Sequence, residues 1–211
     1  KSNVQEARIV VDLLKNFFKT RKNNETVGII TFNVSQRDLI NDLIDDESAR
    51  DPDFGRAVNE EMVRFDNGED VGLFIKNIES VQGDERDVII FSIGYAKNKE
   101  GKLMQRFGWL NNRGGENRLN VAISRSRKKI HIVLSFDPEE LQVETAKNDG
   151  PRILKKYLQY AEAVSNGNKD LAASILESFG DNRWRSAPPV PGESPITEKV
   201  YNALVRKGYS V

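Results

Sequence analysis

Three short segments carry the side chains most able to do chemistry. The first is Asn77-Ile78-Glu79-Ser80-Val81-Gln82-Gly83-Asp84-Glu85-Arg86-Asp87, where a strand ends in a polar, glycine-containing turn and a buried strand follows. Such a turn sets carboxylate, amide and hydroxyl groups at a sheet edge, where open α/β sheets bind ligands. A solvated hairpin turn has the same composition. The second is Gly114-Gly115-Glu116-Asn117-Arg118-Leu119-Asn120-Val121-Ala122-Ile123-Ser124-Arg125-Ser126-Arg127. Arg118, Ala122 and Arg125 share one helical face there, while Leu119, Ala122 and Ile123 pack inward. An arginine at the end of such a helix suits a phosphate held across a domain cleft, because its charge is permanent and its planar fork matches phosphate oxygens. The alternative is a cationic helix end that satisfies the helix dipole. The third segment, Val27 to Ile40, runs a strand into a helix whose first turn presents Gln36 and Arg37, and helix N-termini are natural phosphate neighbours.

Composition narrows what these segments serve. Thirty-two basic residues balance thirty-two acidic ones, so any nucleic-acid contact comes from a local patch rather than from overall charge. With no cysteine there is neither a disulfide scaffold nor a thiolate metal site, which fits a reducing, cytoplasmic setting. The single histidine, His131, leaves no His-rich metal constellation, and no metal ligands are assigned. The longest mainly apolar stretch, Val88 to Ala96, is too short to span a bilayer, so no membrane partner is expected. The chain opens on Lys1 rather than an initiator methionine, and an N-terminus upstream is expected.

The elements that position the three segments read as helix, strand, helix, helix, strand, strand, helix, strand, then helices and a tail. Val4 to Lys19 spaces Ile9, Val10, Leu13, Leu14, Phe17 and Phe18 as a helix does. Thr26 to Phe32 reads as a strand, Ser35 caps a helix through Ile44, and Phe54 to Phe65 reads as helical. Leu73 to Ile78 and Asp87 to Ile93 read as strands, the second apolar on both faces as a central parallel strand is. Glu116 to Ser126 is a helix, Ile130 to Leu134 a strand, and Arg152 to Ala163 a helix. Strands alternating with helices predict a three-layer α/β fold around a mostly parallel sheet. Lys128-Lys129 reads as a solvated face at a helix end.

In this order and spacing, the segments resemble motifs IV, V and VI of superfamily 1 helicases, above all the up-frameshift-like branch. Motif IV resembles a strand followed by Gln36-Arg37, motif V resembles Gln82-Gly83-x-Glu85-x-Asp87, and motif VI resembles Arg118-Leu119-Asn120-Val121-Ala122-Ile123-Ser124-Arg125-Ser126-Arg127. Asn3-x-x-Glu6-Ala7 resembles that branch's lead-in. Phe32-Asn33 departs from the branch's usual Pro-Tyr, and Ser124 and Ser126 replace its commoner Thr and Ala.

The resemblance covers roughly residues 1 to 165. It implies a RecA-like domain of the P-loop NTPase type, the second motor domain of an ATP-dependent helicase or translocase. Arg37 and Arg125 would then act as arginine fingers on the γ-phosphate of ATP with Mg2+, bound mainly by an upstream RecA-like domain. Glu85 would hydrogen-bond the ribose, with Gln36, Gln82 and Gly83 completing the nucleotide side. Glu79 and Ser80 would approach single-stranded nucleic acid, DNA by family analogy. Arg118 would fix the motif VI helix. No Gly-x-x-x-x-Gly-Lys-[Ser/Thr] occurs, so the phosphate cradle is expected elsewhere and this chain is expected to be inactive alone.

A helix and Pro-rich linker are expected at 166–193, within a helical C-terminal extension. Ser194 to Val211 resembles the entry helix of a restriction-endonuclease-like domain, such as bacterial helicases of this branch carry, with Glu198 at an accessory acidic position. A rival function is a non-catalytic nucleic-acid-binding or regulatory module on the same sheet. The two part on geometry, since a motor needs Arg37 and Arg125 to converge on one cleft beside Glu85.

Overall fold

The computed structural model describes residues 2–81 and 83–180. Their chain path divides into two compact units. One runs to Lys102 and takes in Arg125–Ser135; the other comprises Leu103–Ser124 and the chain from Phe136 on.

The first unit is built on four strands: β1 (Val27–Thr31), β4 (Phe74–Asn77), β5 (Arg86–Ser92) and β8 (Ser126–Val133). They lie in the order β4-β1-β5-β8 and every pairing is parallel. Three helices accompany them, α1 (Val4–Thr20), α2 (Val34–Arg50) and α3 (Pro52–Met62). Burial explains the strands. Val27 and Ile29 of β1, with Val88 and Ile90 of β5, join Ala7, Val10, Val11 and Leu14 of α1 and Ile40 and Ile44 of α2 in one core. Ile30, Ile89 and Phe91, which alternate with them, are buried just as completely. Central strands buried on both faces are the α/β arrangement predicted, and they explain why Val88–Phe91 of β5 is an unbroken apolar run.

Several boundaries differ from the sequence reading. Ile9 is half exposed, because the buried stripe of α1 runs Ala7, Val10, Val11, Leu14. Asn33, not Ser35, caps α2, its Oδ1 accepting from the Gln36 amide at 2.8 Å, and the helix continues to Arg50. Asp51 caps α3 with Pro52 at its first position. That helix stops at Met62, and Phe65–Asp66 (β2) pairs antiparallel with Glu69–Asp70 (β3). Short strands β6 (Ala96–Lys97) and β7 (Leu103–Met104) flank a turn at 98–102.

In the second unit, α4 (Gly115–Ile123) ends three residues earlier than expected, and β8 of the first unit accordingly starts four residues sooner. α5 (Gly150–Ser165) and α6 (Lys169–Gly180) follow. Gly115 and Gly150 both approach the carbonyl oxygen of Leu110, where a Cβ would lie only 2.3 and 2.2 Å from it. The readings for residues 181–211, including the endonuclease-like start at 194–211, lie outside the described residues. Among the described residues no helix is long and apolar enough to cross a membrane.

Gly28, in the middle of β1, carries the tightest approach within the sheet. A Cβ there would sit 2.4 to 2.9 Å from three ring atoms of Phe74. The ring is held in turn by the Arg86 guanidinium, 5.1 Å from its centroid. Gly28→Ala is therefore expected to destabilise the chain by about 1–3 kcal/mol through overpacking. An unchanged urea midpoint would show that the ring swings clear.

Candidate functional site

Parallel strands send every motif to one of two opposite edges. At the N-terminal edge, β5 and β8 begin side by side, the Arg86 amide donating to the Arg125 carbonyl at 3.0 Å. Arg86 pairs with Ser126 in the register, so the preceding residues, Glu85 and Arg125, are also neighbours, with backbones about 5 Å apart. Arg125 is not the last residue of the α4 helix. It stands in the two-residue link between Ile123 and β8, half-buried, where the chain turns into the sheet.

Around this pair the edge is densely charged. Arg127 Nε lies 3.3 Å from Glu85 Oε2, both side chains remaining about half exposed. Arg86 is buried beneath them: its Nε donates to the Gly72 carbonyl at 2.7 Å, its Nη1 to the Glu85 carbonyl at 2.9 Å, and its Nη2 lies 3.6 Å from Asp70. Burial pulls its pKa down, but a guanidinium keeps its charge all the same. Next along, Asp87 accepts from the Thr26 amide at 3.0 Å and meets Lys128 at 3.3 Å. Burial pushes the Asp87 carboxyl up, but the hydrogen bonds from Thr26 and the Lys128 ammonium outweigh it and hold it below its usual value. Lys128 also reaches Glu25 at 3.4 Å, so it belongs to a strand and its ion pairs rather than to a solvated helix end. Nothing in the sequence reading marked Arg86. Its signal was a cation two residues ahead of the apolar run Val88–Phe91.

The C-terminal edge holds the other candidates. Arg37 sits on α2 just past the end of β1, its Nε and Nη2 donating to Asp38 at 2.9 and 2.6 Å. The expected convergence of Arg37 with Arg125 and Glu85 is not what the fold produces. A helix that follows β1 starts where the strands end, whereas Glu85 and Arg125 stand where their strands begin, roughly 20 Å away along β5. Gln36 likewise faces inward. Fully buried, it accepts from the Asn3 amide at 2.7 Å and donates to the Asn3 carbonyl and to Ser92 Oγ, both at 3.1 Å. Its amide is thus occupied within the fold and does not face a nucleotide.

The segment between β4 and β5 joins the two edges. Ile78 extends the ladder to the Thr31 carbonyl, and Ser80 Oγ donates to the Asn77 carbonyl at 3.0 Å, leaving Glu79 and Ser80 exposed at the C-terminal edge. Gln82 lies outside the described residues. Gly83 is exposed with φ +91, a conformation that favours glycine at this turn. Asp84 meets Lys76 at 2.8 Å as the chain returns toward Glu85.

A third group ties the C-terminal edge together. Glu6, in the first turn of α1, is 1% exposed, and its Oε1 accepts from Ser92 Oγ at 2.8 Å and the Gly94 amide at 2.7 Å. Burial dominates and pushes its pKa up to about 7. Asn3 caps α1, its Oδ1 accepting from the Glu6 amide, and its Nδ2 donates to the Tyr95 carbonyl at 3.0 Å and to Ser135 Oγ at 2.7 Å. Asn3-x-x-Glu6 has the spacing of a helix-capping pair, and that spacing was the signal available in the sequence.

Chemically, the N-terminal edge offers guanidinium donors beside a carboxylate, a set that fits phosphate and ribose hydroxyls. Among the described residues, no three His, Cys, Asp or Glu side chains cluster to hold a metal ion.

Residues 1–136 match a protein family described as an AAA domain. An uncharacterized ATP-dependent helicase of Mycoplasma pneumoniae is 39% identical over 165 residues, covering 78% of this chain and 14% of its own length. A second so named, from Mycoplasma genitalium, is 41% identical over 164 residues, covering 77% of this chain and again 14% of its own. The chain thus spans about one seventh of the length of the curated relatives it matches.

Proposed function

The chain belongs to the AAA-domain family matched over residues 1–136, and from that membership we propose that it is the second RecA-like motor domain of an ATP-dependent nucleic-acid helicase or translocase of the superfamily 1, up-frameshift-like kind. The observation that carries the reading is that Glu85 and Arg125 stand side by side just ahead of β5 and β8, where the Arg86 amide donates to the Arg125 carbonyl. Arg125 is the arginine finger, set toward the γ-phosphate of an ATP whose triphosphate and Mg2+ are held by an upstream domain. Glu85 accepts from the ribose hydroxyls, and Gln82 and Gly83 couple it to Glu79 and Ser80, which approach a single strand, DNA by analogy. Residues 1–165 form this motor domain; 166–193 and 194–211 lead toward a further, endonuclease-like domain. Alone, the chain hydrolyses no ATP, because the phosphate cradle belongs to its partner domain.

Arg37 is not carried forward as a finger. Its place at the opposite edge is the observation that favours the rival reading, a nucleic-acid-binding module without catalysis.

The test is single-strand-stimulated ATP hydrolysis by the protein that carries both motor domains. Stimulated turnover is expected. Strand binding with no turnover would favour the binding module. Within that assay Glu85→Ala is expected to raise KM for ATP about tenfold or more, the loss of a hydrogen bond to a charged acceptor. Because Arg127 pairs with Glu85, Arg127→Ala is the comparator. An equal rise in both would assign the effect to the ion pair rather than to the ribose.

A further inference from the structure

We propose that the turn from Lys97 to Lys102, at the exit of β5, is a contact for the sugar–phosphate backbone of single-stranded nucleic acid. The inference rests on the motor reading above and adds to it a surface that none of the three motifs contains.

Charge is the first argument. In a chain whose charges cancel overall, the six residues 97–102 hold Lys97, Lys99 and Lys102 against the single carboxylate of Glu100. All three lysines are exposed. A polyanion is the natural complement of such a local surplus.

Position is the second. The turn leaves the C-terminal end of β5, and in the order β4-β1-β5 its neighbours along that edge are Arg37, just beyond β1, and Glu79 and Ser80, just beyond β4. Three adjacent strands span about 10 Å at the usual spacing. Arg37, out of place as a phosphate finger and paired with Asp38, adds a cation to this edge, on which Ser80 is a neutral donor and Glu79 the one carboxylate beyond β4.

Rigidity is the third. The base of the turn is pinned from three sides: the Gly94 amide donates to Glu6 at 2.7 Å, and the Tyr95 carbonyl accepts from Asn3 at 3.0 Å and from Ser135 at 3.1 Å. The turn itself is organised by Asn98. Its Oδ1 accepts from the amides of Glu100 at 3.0 Å and Lys102 at 2.9 Å, and its Nδ2 donates to the Glu100 carboxylate at 3.0 Å. That bond draws the one acidic side chain of the turn to Asn98. Cations on a preorganised turn lose little freedom on binding, which is what a contact repeated at every step of translocation needs.

The experiment measures binding of oligo-dT and, separately, oligo-rU to the protein carrying both motor domains, across a salt series. Each phosphate contact contributes about −0.7 to the slope of log K against log salt on a single strand. For Lys99→Ala/Lys102→Ala the slope is expected to become shallower by about 1.4, or about 25-fold weaker binding at 0.1 M if the curves meet near 1 M. Lys19→Ala/Lys22→Ala, which removes two exposed cations at the far end of α1, is expected to keep the wild-type slope. A change confined to oligo-dT or to oligo-rU names the strand chemistry the turn serves. Unchanged slopes in a wild type that binds would overturn the turn and leave the motor reading standing. An equal change in both double variants would overturn it in favour of a diffuse field. A wild type that binds neither strand would sink the motor reading, and this inference with it.

Discussion

Arg125→Ala, in the protein carrying both motor domains, is expected to lower kcat for ATP hydrolysis by about 10³ to 10⁵ while leaving strand affinity within about twofold. The expectation follows from where the residue stands. Its carbonyl is tied to the Arg86 amide, so the backbone at this point is fixed by the β5–β8 ladder and survives loss of the side chain. What disappears is a permanent charge whose backbone adjoins that of Glu85, at the edge assigned to nucleotide and far from the edge assigned to the strand. Arg125→Lys is expected to recover only part of the loss, because an ammonium lacks the planar fork that meets two phosphate oxygens. Parallel loss of hydrolysis and strand binding would contradict the role and point to a damaged domain. Full turnover in the alanine variant would remove the residue from catalysis.

How far the sequence reveals this arrangement varies with the physics. The α/β class is legible because Val88-Ile89-Ile90-Phe91 is apolar on both faces and only a covered central strand accommodates that. The place of Arg125 at the threshold of β8 was not legible, since its segment reads as a helix through Ser126 with the next strand only from Ile130. The place of Arg37 was not legible, since strand order and direction decide which edge a motif occupies, and neither is encoded in the spacing of one segment. Boundaries failed for local reasons. Asn33 caps α2 better than Ser35 because its side chain reaches the third helical amide from an extended backbone. Phe65 reads as helical by its spacing from Val58 and Met62, but Asn67 and Gly68, both at positive φ, draw it into a hairpin. Phe32-Asn33, where the resembled motif has Pro-Tyr, is accommodated without loss: Phe32 packs edge-on against Phe91 at 6.0 Å, and Asn33 supplies the cap.

Glu6 supplies the other large effect, and it concerns stability against pH. An isolated carboxyl titrates near 4.5, and in the fold burial raises that value to about 7. Below pH 4.5 the group is neutral folded or unfolded, and its contribution is fully present. Between 4.5 and 7 the unfolded chain has lost the proton that the fold retains, so stability falls as pH rises. Above 7 the carboxylate is ionised in both states and the fall stops. The size is about 3 kcal/mol. Asp51 and Asp87, whose values are lowered, act in the opposite direction below about 3.8 and leave this window alone, whereas His131, whose value burial lowers from 6.5, adds a rise in stability within it that wild type and variant share. Glu6→Gln keeps the shape but cannot ionise, so urea unfolding of the variant is expected to lack the decline from pH 4.5 to 7. Its amide nitrogen would also confront the Asn3 Nδ2 donor, which sits 3.3 Å from Glu6 Oε2, so a constant penalty is expected beneath the missing slope. A slope identical in both proteins would mean that water or rearrangement relieves the buried charge. The hydrogen bonds from Ser92 and Gly94 would then be weaker ties between α1 and the end of β5 than their distances indicate.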